Sequence, residues 1–302
     1  MPRNKANLLA HLALFIVALI YGGNYIVSKE IMGGEFVAPF ALVLLRTSTG
    51  LVCFVALHFI LIKEKVHRSD IPQFILCAVL GVAINQTLFL KGLDQTTPIH
   101  AALILTTTPI TILIMSSIVL RERITRPKIA GIALGFLGAV LLILKSGHVG
   151  FDSHQLMGDL MVFGNTISFG MYLVLVKKLL RKYHPITVVK WVFIFGFLFT
   201  IPLGYSELRM VDFESFSRLV WFGVAYVMLL VTVGTYLLNT LALNSLRATT
   251  VSIYIYLQPL IASTLSLMLG KETFSMTMLI SAALIFTGVY LVSMRQDSPK
   301  SS

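Results

Sequence analysis

The side chains able to do chemistry in this chain lie inside apolar runs. Arg46 sits deep in the run 37–62, and a guanidinium at the centre of a membrane helix costs about 2.5–3.5 kcal/mol. A substrate carboxylate, a partner acid or helix-end carbonyls would have to offset that cost. No acidic residue lies at comparable depth in any apolar run, which weakens the ion-pair option and leaves substrate anchor and backbone clamp side by side. Amides, phenols and hydroxyls accompany it: Tyr21, Asn24 and Tyr25; Asn85 and Gln86; Thr106, Thr107 and Thr108, just before Pro109. Asn165, Ser168 and Tyr172 recur at spacings that share one helix face, as do Tyr236 with Asn239 and Tyr254 with Gln258. Serine and threonine commonly bond back to their own helix. Asn, Gln and Tyr in hydrocarbon need partners, so the set predicts a water-filled cavity walled by rings and amides. Such a cavity binds a small amphipathic solute; it does not make or break bonds. The histidines are scattered and unpaired with acids, no metal-type spacing occurs, and Cys53 and Cys77 read as small buried hydrophobes. The chain is therefore expected not to be an enzyme and to hold no metal or cofactor.

Composition identifies the elements that position these groups. The 302 residues are 57% hydrophobic and 12% charged, with a net charge of +11, against about 45–50% apolar and about 25% charged in soluble domains. A membrane helix needs about 20 predominantly apolar residues. Ten runs meet that need: 8–28, 37–62, 71–90, 98–120, 128–145, 156–176, 186–204, 219–241, 249–269 and 275–294. A soluble helical bundle is excluded because its surface helices need a polar face, and Ile129 to Leu144 carries no strongly polar side chain. The runs are too long and unbroken for barrel strands. Arg3 and Lys5 precede the first run, which continues to spanning length without a small-residue cleavage site and reads as a retained span. With the N-terminus cytoplasmic, sixteen of the 24 basic residues fall on the cytoplasmic side and six on the other; Arg46 and Lys190 lie within spans. The positive-inside rule then puts both termini in the cytoplasm of a multi-pass protein of the cell membrane. The charge that would mark a nucleic-acid binder in a soluble chain reads instead as contact with anionic lipid head groups.

The chain also repeats itself. From about residue 86, an offset of 150 carries Pro109 onto Pro259, Glu122 onto Glu272 and Gly138 onto Gly288. Earlier, an offset of 148 carries Gly22 onto Gly170, Lys29 onto Lys177 and His11 onto Asp159. Two five-span units follow, 1–150 and 151–302, and because five is odd the second is inverted. Inverted repeats place a substrate site near the midplane, where interrupted helices at matching positions meet. Pro109 and Pro259 are such interruptions and the expected hinges. Gly131, Gly135 and Gly138 are spaced for close helix contact. Asp159 suits a helix N-terminus, and Lys190 is near enough to a span end to snorkel. Glu122 and Glu272 are expected to tie their loops to neighbouring cations.

Several motifs carry a family resemblance: Ile20-Tyr21-Gly22-Gly23-Asn24-Tyr25, Arg46, Thr106-Thr107-Thr108-Pro109 and Glu122-Arg123-Ile124-Thr125 followed by Gly131, Gly135 and Gly138. In the second half they are Gly158-Asp159, Gln258-Pro259 and Gly270-Lys271-Glu272 followed by Gly288. Together they resemble the drug/metabolite transporter superfamily and, within it, the EamA-type permeases. Tyr21 and Phe169 stand where tryptophan is typical. The resemblance implies a ten-helix protein of two five-helix halves that moves small organic metabolites such as amino acids, commonly outward, without a bound cofactor. A membrane receptor that binds a metabolite without transporting it is the alternative.

Overall fold

The computed structural model describes residues 3–33, 36–145, 156–268 and 275–293. Glu35, Asp152, Gly270, Lys271, Glu272, Arg295 and Lys300 lie outside them. The described residues form helices and short connections, with no strand among them. In chain order the helices are α1 (Arg3–Gly33), α2 (Pro39–Leu61), α3 (Arg68–Gln95), α4 (His100–Val119) and α5 (Arg126–Lys145). The second series is α6 (Leu156–Leu180), α7 (Pro185–Leu208), α8 (Arg218–Ser245), α9 (248–268) and α10 (Met276–Ser293). Eight of these, all but α5 and α9, are long and apolar enough to cross a membrane. The polarity is that of a membrane protein: Leu219, Phe222 and Phe59 are largely exposed, whereas Arg46, Thr47, Gln86 and Thr200 are buried. The chain is an all-helical, multi-pass membrane protein.

Repeat-equivalent helices cross one another in antiparallel pairs. Between α2 and α7, Thr47 Oγ1 and Thr200 Oγ1 share a hydrogen bond of 2.9 Å, and Phe54 meets Phe193 edge-on with centroids 4.9 Å apart. Between α5 and α10 the glycines permit backbone contact. A Cβ on Gly131 would lie 2.7 Å from the Gly288 carbonyl oxygen, and one on Gly138 would lie 2.8 Å from that of Ser281. The offset of 150 maps each of these two contacts onto the other, so the crossing has an internal two-fold relation.

Two lysines carry the same relation. Lys29, just beyond the apolar run of α1, donates to the carbonyls of Leu93, Asp94 and Thr96 at 2.8–3.0 Å, at the C-terminal end and cap of α3. Lys177, its counterpart, donates to Leu243 and Leu246 at the end of α8. A cation there satisfies orphan carbonyls and opposes the negative end of the helix dipole. Lys29→Met is expected to lower stability by about 2 kcal/mol, read as a reduced midpoint of thermal unfolding in detergent; an unchanged midpoint would contradict the capping role.

Four helices are interrupted, again in matched pairs. α3 widens to a π-helix at Val79–Ile84 and α8 at Tyr226–Gly234. α4 breaks at Thr106 and Thr107 and resumes as Thr108–Val119, with Pro109 in its first turn. α9 tightens to a 3-10 turn at Ile253–Tyr256 before Leu257–Met268, where Pro259 is again in the first turn. Both prolines thus sit just beyond a break, where a missing N–H costs least. Side chains from other helices take carbonyls in and beside the π segment of α3: Ser168 Oγ donates to Leu80 and Tyr236 OH to Gly81, both at 2.6 Å, and Asn165 Nδ2 to Asn85 at 2.9 Å.

Asp70, at the start of α3, accepts from Lys182 Nζ at 2.8 Å and Tyr183 OH at 2.6 Å, tying α3 to the connection between α6 and α7. The Asp70 hydrogen bond holds the Lys182 ammonium above its ordinary pKa.

Candidate functional site

The interruptions surround a cavity of about 100 Å³ walled by α1, α2, α3, α4, α6, α8 and α9. α1 contributes Tyr21, Asn24 and Tyr25, and α2 contributes Arg46. Asn85 and Gln86 follow the π segment of α3, Tyr236 and Asn239 follow that of α8, and Asn165 comes from α6. Thr108 enters at the restart of α4; Tyr254 lies in the 3-10 turn of α9 and Gln258 just beyond it. Phe89, Phe169, Leu14 and Leu173 supply apolar wall. Among the described residues the cavity therefore joins rings, amides and one cation, and no carboxylate lines it.

Four of the expected lining residues lie outside this wall. Thr106 and Thr107 donate back to the carbonyls of Leu103 and Ile104, which also accept from their backbone N–H groups where α4 breaks. Ser168 is committed to the Leu80 carbonyl. Tyr172 packs where Gly81 leaves room, so close that a Cβ on Gly81 would meet its ring at 2.3 Å. It borders a smaller adjoining hollow shared with Tyr21, Tyr236 and Asn239.

Hydrogen bonds fix the polar wall. Tyr25 OH donates to Gln258 Oε1 at 2.6 Å, Ser28 Oγ to Asn24 Oδ1 at 2.9 Å, and Thr235 Oγ1 to Tyr21 OH at 3.0 Å. Gln86 Nε2 donates to Tyr236 OH at 3.3 Å, and the offset of 150 makes these two residues each other's counterparts. The pair is therefore its own counterpart under the offset and sits on the internal two-fold relation. Because Tyr236 gives its own proton to Gly81, it acts as acceptor toward Gln86. That leaves Gln86 Oε1 buried without a partner among the described residues. Arg46 is 4% exposed, and its Nε donates to Thr232 Oγ1 at 2.9 Å, its one hydrogen bond among the described residues.

The two ends of the bundle differ. Where α3 meets α4, Asp159 in the first turn of α6 accepts from Thr96 Oγ1 at 2.5 Å and pairs with His100 Nδ1 at 3.1 Å. Gly92 and Gly158 cross there so closely that a Cβ on either would lie 2.9 Å from the other's carbonyl oxygen. At the opposite end His11, the counterpart of Asp159, bonds to Tyr254 OH at 2.7 Å. Glu122 accepts from Lys128 at 3.1 Å, as expected of a loop tie. Lys190 lies 3.4 Å from His58 and over the Trp191 ring.

Phe169 and Phe89 could have been found from the repeat, since they are the counterparts of Tyr21 and Asn239. Thr232, the partner of Arg46, has no such signal, because only folding brings the two together.

A family model described as the EamA-like transporter family matches residues 8–144 and again 156–294. The uncharacterized transporter YetK of Bacillus subtilis is 25% identical over 298 residues, spanning 98% of this chain and 90% of its own. An uncharacterized transporter of Archaeoglobus fulgidus is 25% identical over 95% of this chain and 98% of its own. A probable terminal-alkyne amino-acid exporter of Streptantibioticus cattleyicolor is 25% identical over 46% of each chain. A protein crystal structure shares the fold with a TM-score of 0.75 at 18% identity, covering 96% of this chain and 98% of that one. Matched twice by the one family model, the chain belongs to the EamA-like transporter family.

Proposed function

We propose that the protein is a secondary transporter that carries a small amphipathic organic metabolite, such as an amino acid or a relative of one, out of the cell by alternating access. The observation that carries this reading is the position of the cavity, where four helices interrupted in matched pairs converge on Gln86 and Tyr236. Broken helices meeting at the junction of two repeats are how secondary transporters build a midplane site. The proposal includes ten membrane passes in two inverted units, 1–150 and 151–302, with both termini cytoplasmic. The antiparallel crossings of α2 with α7 and α5 with α10 support the inversion. Pro109 and Pro259 are the hinges, each following a break that leaves the two half-helices free to bend. The end held by Asp159, Thr96 and His100 and the end carrying His11 open in turn. The substrate wall is Tyr21, Asn24, Tyr25, Arg46, Asn85, Gln86, Thr108, Asn165, Tyr236, Asn239, Tyr254 and Gln258. The amino-acid exporter among the relatives supports the substrate class and the direction.

Purified protein in liposomes loaded with a panel of labelled amino acids and related organic metabolites is expected to release at least one faster than protein-free liposomes. Binding without release of any panel member would favour a receptor and defeat the transport reading.

A further inference from the structure

We infer that Arg46 is the anion-binding group of the cavity and that its ligand is a small organic carboxylate bearing an N–H donor for Gln86; this rests on the cavity being the transport site. A buried cation that serves only the fold is paired by the chain, as Lys128, 2% exposed, is by the Glu122 carboxylate and the Arg123 carbonyl. Arg46 is equally removed from the surface but spends only Nε, on Thr232. Its two terminal nitrogens have no hydrogen-bond partner among the described residues, and its side chain lines a cavity with no carboxylate among the described residues of its wall. The ionisable groups interacting with it are the phenols of Tyr236 and Tyr21, which are neutral donors and acceptors at physiological pH. A guanidinium fork presented in this way matches the two oxygens of a carboxylate.

The second observation is independent of the first. Gln86 Oε1 is buried, unpartnered among the described residues, and belongs to a side chain in the same wall. A buried acceptor without a donor is costly, and an amine or amide N–H on the ligand supplies that donor. With the cation of Arg46 present and no acid in the wall, an amine lacking a carboxylate meets an uncompensated positive field. The apolar remainder of the ligand lies against Phe89, Phe169, Leu14 and Leu173. The class is thus an amino-carboxylate with an uncharged tail, and amines and cationic amino acids are excluded.

Four probes of one shape test this on purified full-length protein: leucine, 4-methylpentanoate, 4-methylpentanamide and 3-methylbutylamine. Leucine and 4-methylpentanoate are expected to raise the thermal midpoint, leucine binding about tenfold more tightly because of Gln86. The amide and the amine are expected to be weaker than 4-methylpentanoate by about a hundredfold. Arg46→Gln should erase the preference of carboxylate over amide, and Arg46→Lys should keep part of it. Gln86→Met should bring leucine down to the level of 4-methylpentanoate. The wild-type series stands by itself should Arg46→Gln not fold. Amine binding equal to that of 4-methylpentanoate, or an intact carboxylate preference in folded Arg46→Gln, overturns the inference. So does a failure of all four probes to bind; if other panel metabolites still cross the liposome membrane, the transporter reading survives that failure.

Discussion

Gly288→Val is expected to cost the protein most of its folded yield. A Cβ at position 288 would lie 2.5 Å from the Gly131 carbonyl oxygen and 2.9 Å from the Gly135 amide nitrogen. Both obstacles are backbone, so no rotamer change relieves them, and α5 and α10 must separate. Overpacking in a well-filled interior costs about 1–3 kcal/mol where side chains can adjust; here they cannot, and the upper end or more applies. Separation also removes the neighbouring contact between Gly138 and Ser281 and loosens the slot that Gly135 leaves for the Tyr256 ring. Gly33→Val is the control, because nothing lies within 4 Å of a Cβ there. Size-exclusion profiles and thermal midpoints of the two variants should differ sharply; wild-type behaviour of Gly288→Val would show that the crossing is not tight.

That crossing was legible in the sequence because it is written in residue types. Glycines spaced along one apolar run, with one repeated at the offset of 150, point to close contact without any knowledge of the partner. The helical runs were legible for the same reason, since each buries or exposes a continuous apolar surface. The π segments were not. Val79–Ile84 and Tyr226–Gly234 carry no local signature; at the first, side chains of other helices, Ser168 and Tyr236, take the carbonyls of α3. The break at Thr106 and Thr107 has a similar consequence. Three consecutive threonines are equivalent in composition, yet the break turns only Thr108 into the cavity. Lys29 and Lys177 could be counted as charges, but their use as caps depends on where α3 and α8 end. Residue types therefore predicted which groups need partners, and the fold decided which partners they received.

The second large effect is expected at the end of the bundle where α3 meets α4. Thr96 and Asp159 already touch through their side chains, so a cysteine at each position is well placed to form a disulfide. Cys53 and Cys77 are free thiols and are replaced by alanine in the background. Oxidation joins the start of α6 to the end of α3 and holds shut the contact that Gly92 and Gly158 make close by. If the substrate must pass this end once per cycle, flux through the oxidised protein falls to the level of protein-free liposomes and returns when the bond is reduced. Binding in the cavity should survive, because none of the joined residues lines it. A permanently open channel would keep its flux on oxidation. Full flux through protein shown by mass spectrometry to be cross-linked between positions 96 and 159 would defeat alternating access at this end. The result also separates the two roles open to Asp159. An acid that merely complements the N-terminus of α6 holds no gate, and Asp159→Asn would then leave flux unchanged. An acid that latches α6 to Thr96 and His100 shifts the balance between the two ends, and Asp159→Asn alters flux without abolishing binding.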